Sequence, residues 1–110
     1  MKVMLIAFSV APSVSDEQGG VTPAVAEAVR IVRESGLPNR TDAMFTTIEG
    51  EWDECMDVVR RCVEAMAAHG PRVSLVLKAD IRPGREGEIT GKVERLEQAV
   101  RESGSDRSEL

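Results

Sequence analysis

The sequence predicts an α+β fold, and three observations carry that prediction. The stretches Lys2–Ala11 and Arg72–Arg82 run at strand length, with apolar residues that recur at every second position. Two other stretches, near 22–35 and 51–69, set apolar residues on one face at helical spacing. The elements also follow an order (strand, helix, two strands, helix, strand) that one four-stranded sheet can absorb.

In the first strand Val3, Leu5 and Ala7 point one way, while Met4, Ile6, Phe8 and Val10 point the other. Both faces are apolar, so both need cover. The loop "PSVSDEQGG" follows. Thr22 suits an N-cap with Pro23 at the first helical position, and the helix runs to about Ser35. Its buried stripe is Val25, Ala28, Val29 and Val32, and Gly36 and Pro38 stop it. "NRTDAMFTTIEG" predicts two short strands about a bend near Thr41–Asp42, the second closed by Gly50.

The second helix opens with Glu51, Asp53 and Glu54, where the helix dipole favours negative charge. Cys55, Val59, Cys62, Val63 and Met66 form its core stripe. His69, in its last turn, suits the C-terminal dipole better than a catalytic role. In "RVSLVLKADIR" one face carries Val73, Leu75, Leu77, Ala79 and Ile81, and the other Ser74, Val76, Lys78, Asp80 and Arg82. Thr90–Ser103 predicts a third helix with a thin stripe of Val93, Leu96 and Val100. Residues 1–103 form one domain, and 104–110 read as a disordered tail.

This order closes as a ferredoxin-like β-α-β-β-α-β sandwich with an added C-terminal helix. Two helices cover one face of the sheet. The other face, with an apolar central strand, is left bare, and a second copy of the chain is its simplest cover. A homodimer or homotetramer is expected.

Composition narrows the function. The net charge of −5 argues against nucleic-acid and anionic-membrane partners, and two Phe, one Trp and no Tyr make a poor base-stacking platform. The N-terminal apolar stretch is short for a secretory signal, and none of the apolar runs is long enough to cross a bilayer. Cys55 and Cys62 lie two helical turns apart, roughly 10 Å along one face and beyond disulfide reach. They read as reduced core cysteines of a cytoplasmic protein, and with one histidine in the chain no metal site is expected.

An enzyme needs a nucleophile beside a base, and nothing pairs Ser or Cys with His69. An acylphosphatase-like anion loop would carry an arginine where "APSVSDEQGG" has acids, and no Walker-type or dinucleotide fingerprint is present. A non-enzymatic binding module fits better. Ser9, Thr46, Thr47, Glu49 and Asp80 supply the hydroxyls and carboxylates that would suit a small cation with hydrogen-bonding edges. Trp52 or a Phe could cover a positively charged ring. The same residues would also serve as ordinary strand threonines, a solvated strand end and surface ion pairs. Regular alternation puts Thr46 and Glu49 on opposite faces, whereas Thr47 and Glu49 share one; a bulge, or a site at a sheet end, would be needed to unite all of them. If the ligand were a small anion, Lys78 and Arg82 would hold it. A further alternative is an oligomeric structural or regulatory domain without a vitamin ligand.

Three motifs in order bear a resemblance. The first strand ends Ser9-Val10-Ala11-Pro12; the third reads Met44-Phe45-Thr46-Thr47-Ile48-Glu49-Gly50 followed by Trp52-Asp53-Glu54; the last runs from Arg72-Val73 through Lys78-Ala79-Asp80-Ile81-Arg82, with Lys92-Val93-Glu94 beyond. Over Val3 to Leu96 the chain resembles the small YkoF-like thiamine-binding family of ferredoxin-like homo-oligomers that pair through their sheets. The resemblance implies binding of thiamine or its aminopyrimidine (hydroxymethylpyrimidine) part near a subunit interface, without catalysis or a cofactor. By position it selects Ser9, Thr46, Glu49 and Asp80, with Thr47 beside them. Phe45 stands where the family usually has glycine, and Ala11 where many members carry an aromatic.

Overall fold

The computed structural model describes residues 3–13 and 20–108. Within them lie β1 (Val3–Pro12), α1 (Thr22–Glu34), β2 (Asn39–Thr41), β3 (Thr46–Glu51), α2 (Trp52–Ala67), β4 (Val73–Ile81) and α3 (Glu88–Ser108). The strands form one antiparallel sheet in the order β2-β3-β1-β4, the ferredoxin-like arrangement. Most of the loop read between Pro12 and Val21 lies outside the described residues.

The core sits between the sheet and the two central helices. Met4, Ile6, Phe8 and Val10 alternate inward from β1, joined by Ile48 of β3. From α2, Cys55, Val58, Val59, Cys62 and Met66 meet them, and α1 adds Ala24, Ala28 and Val32. Each large side chain buried here stabilises the fold by about 1.5–3 kcal/mol. The Cys62 thiol lies 3.5 Å from the Ala28 carbonyl oxygen and links α2 to α1. Burial pushes both thiols up to about 11.

Gly50 closes the β3–α2 junction by size. A Cβ there would stand 3.2 Å from Leu37 Cδ2 and 3.3 Å from Cys55 Sγ. The strand passes into α2 with no intervening loop, and the Glu54 carboxylate accepts the Glu51 N–H at 3.1 Å.

Three details differ from the sequence reading. Thr22 is the first residue of α1 rather than its cap; Val21 takes the cap position, and its carbonyl accepts the Val25 N–H. Val25 and Val29 are half-buried rather than core, for a reason given below. The last helix starts at Glu88 and continues through Gly104 to Ser108, across the segment expected to be a tail. Along the exposed part of this helix Gln98 donates to Glu102 and Arg101 donates to Gln98.

Candidate functional site

The structure divides four of the five candidate residues between two ends of the sheet and leaves Thr47 between them, lining neither end. β3 pairs with β1 in unbroken register, with Ile48 opposite Ile6, Thr47 opposite Ala7 and Thr46 opposite Phe8. Without a bulge, Thr46 lies on the helix-covered side, and Thr47 and Glu49 on the open side. Asp80 stands opposite Leu5 on β4, so Glu49 and Asp80 flank Leu5 in one row.

That row belongs to α3. Glu49 is the one buried charged side chain among the described residues, 4% exposed, and its carboxylate accepts the N–H groups of Glu88 (2.9 Å) and Ile89 (3.4 Å). It caps the first turn of α3 from across the sheet, where an anion is favoured by the helix dipole. Asp80 accepts from Lys92 Nζ at 2.6 Å, and this contact holds its carboxyl below the usual carboxylate range. Arg95 does the same for Glu88, at 2.6 Å. The crevice left between Glu49, Asp80, Arg82 and Glu88 measures about 10 Å³, room for about one water molecule and too little for a vitamin-sized ligand. Lys78 is on the same face but one row away, opposite Ala7.

The other end is open. β1 runs to Pro12 alongside β4, whereas β3 accompanies it only as far as Phe8. Past that point α1, the end of β1 and the turn 42–45 enclose a cavity of about 320 Å³. Its apolar wall includes Val25 and Val29, which explains why they are half-buried. Phe8 and Phe45, both of the chain's phenylalanines, line it together with Thr46 and Asp42. Ser9 also borders it. Phe45 therefore takes part in the cavity wall and leaves it unfilled; Met44, beside it, is 77% exposed. The volume falls at the small end of the range typical of ligand sites, suited to a vitamin-sized molecule.

The remaining sequence candidates stand away from this cavity. Trp52, half-exposed, begins α2 at the opposite end of β3. His69 Nε2 meets the Glu27 carboxylate, tying the end of α2 to α1. Among the described residues no group of three or more His, Cys, Asp or Glu side chains could hold a metal ion, and no helix is long and apolar enough to cross a membrane. Sequence reasoning missed Val10, Val25 and Asp42 as cavity residues. One signal was available: Pro12, within strand spacing of Val10, marks a strand edge.

Comparison with known proteins agrees with this architecture. A sequence model of the family described as thiamine-binding protein matches residues 6–97. The UPF0045 protein Mb1933 of Mycobacterium bovis is 57% identical over 95 residues, spanning 86% of this chain and 91% of its own. Among solved structures, a domain of unknown function (DUF77) from Bacillus cereus is 31% identical with a TM-score of 0.68, covering 79% of this chain and 85% of that one. A proposed thiamine biosynthesis/salvage protein of Thermotoga maritima superposes with a TM-score of 0.72 at 24% identity, over 86% of this chain and 98% of that one, a likeness of fold.

Proposed function

We propose, from the premise that this chain belongs to the thiamine-binding protein family, that it binds thiamine or its aminopyrimidine part in the cavity beside α1, without catalysing a reaction. The observation that carries this reading is the cavity of about 320 Å³ whose wall holds both phenylalanines. A positively charged ring against Phe45, which is 37% exposed, gains about 0.5–2 kcal/mol. Thr46 supplies a hydroxyl that can donate or accept, and Asp42 brings negative charge to the rim, 3.5 Å from Arg40. Glu49 and Asp80, engaged by α3, fasten that helix rather than hold the ligand. The anion alternative has less support, because Asp80 and Glu88 accompany Arg82 in the crevice.

The part of this sheet face that α3 leaves uncovered is the natural seat for a second copy of the chain. Val76 on β4 is half-exposed, and Val93, Leu96 and Val100 form an uncovered stripe on α3. Light scattering should give a mass at least twice that of one chain; a stable single chain removes the oligomer from the proposal. Two free, buried thiols suit a reducing cytoplasm.

Calorimetry with thiamine tests the binding reading directly. One saturable site per chain is expected, with a matching rise in Tm. No heat and no stabilisation at millimolar thiamine would remove the reading.

A further inference from the structure

The cavity exposes more than side chains. In an antiparallel ladder alternate residues turn both their N–H and C=O toward the same neighbouring strand. The Glu49 N–H bonds to the Pro38 carbonyl at 3.0 Å, so the peptides of odd-numbered β3 residues serve β2. Thr46, Ile48 and Gly50 therefore turn toward β1, and their partners Phe8, Ile6 and Met4 turn toward β3. The other side of β1 gives the same answer, since the Ser13 N–H bonds to the Arg72 carbonyl at 2.9 Å. Even-numbered residues of β1 thus face β3. Two steps beyond Phe8, Val10 keeps that orientation, but its register partner would be residue 44 and β3 begins only at Thr46. Among the described residues nothing continues the ladder opposite Val10, which borders the cavity. Pro12, two residues on, fits the same parity: its missing N–H falls on the side away from β4, so no ladder bond is lost.

We infer that the Val10 peptide is the specificity element of the cavity, reading a 4-aminopyrimidine edge as a short substitute for the missing residues of β3. The Val10 N–H donates to the ring nitrogen, and the Val10 carbonyl accepts from the adjacent exocyclic amine. A ring nitrogen beside an amine presents acceptor and donor side by side, the complement of one extended peptide's N–H and C=O. The inference rests on the cavity being the ligand site and adds which chemical edge it selects. A 4-oxo pyrimidine presents the reverse pattern, a ring N–H and a carbonyl, and leaves both Val10 groups facing like partners.

The test compares thiamine with its 4-oxo counterpart by calorimetry, while amide spectra of 15N-labelled protein follow Val10. Thiamine should move the Val10 amide resonance, and the 4-oxo compound should bind at least 100-fold more weakly. Equal affinity for both compounds, or a stationary Val10 amide while those of Ala28 and Val29 move, overturns the inference and leaves the cavity reading intact. Thiamine binding that moves Leu5 and Glu49 but none of these amides overturns both, as does the absence of binding by either compound.

Discussion

The two ends of the β1–β3 pair carry similar polar residue types and opposite degrees of freedom. At the Leu5 end, Glu49 and Asp80 are joined to α3 by backbone and side-chain contacts, and a crevice of about 10 Å³ remains. At the Val10 end, β3 stops short and about 320 Å³ stays open beside α1. Residue chemistry alone would choose the first end for a cationic ligand. The proposed reading takes the second, where the space is. A carboxylate that could greet a ligand amine serves equally well as the acceptor for a helix N-terminus, and here the helix has taken it.

The contrast can be broken most forcefully by filling the open end. Val25→Trp introduces a large side chain from the cavity wall and should weaken thiamine binding by 100-fold or more by calorimetry, with Tm kept near that of the wild type. Strong binding to the filled variant would move the ligand elsewhere. Next in size is the closed end. Glu49→Ala leaves the Glu88 and Ile89 N–H groups without their acceptor and should lower unfolding stability by about 1–3 kcal/mol in urea titration. Thiamine affinity of that variant should change less than threefold.

Smaller effects sharpen the comparison. Phe45→Ala removes one ring from the wall and should reduce thiamine affinity about 2–5-fold, the size of a partly exposed cation–π contact. A gain in affinity would mean that Phe45 obstructs the cavity. The smallest effect is that of pH on α3. Lys92 and Arg95 hold the Asp80 and Glu88 carboxyls below their ordinary values, so their contribution is present above the unfolded carboxylate range and is lost as pH falls through the lowered folded values. Acidification below about pH 4 should loosen α3 before the sheet, seen as earlier amide exchange in residues 88–104 than in β1. Simultaneous loss would show that α3 is held by something other than these carboxylates.

Much of this was readable in the chain. Alternation in "VMLIAFSV" and the helical stripe from Cys55 to Met66 define the layers, because burial imposes period two on strands and 3.6 on helices. The opposed faces of Thr46 and Glu49 followed from alternation alone. The open end was harder to see because it arises from unequal strand lengths, a property of register that no single residue announces. Burial of Glu49 was hidden for a related reason: its partners are backbone N–H groups on a helix that begins 39 residues later. The extent of α3 escaped because its apolar stripe is thin and Ser103-Gly104 resembles a stop.

The most direct measurement titrates thiamine into two variants side by side by calorimetry, Val25→Trp at the open end and Glu49→Gln at the closed one. A ligand seated beside α1 is lost from the first and retained by the second within threefold. Retention by Val25→Trp together with loss from Glu49→Gln would contradict that placement and return the ligand to the carboxylate row beneath α3.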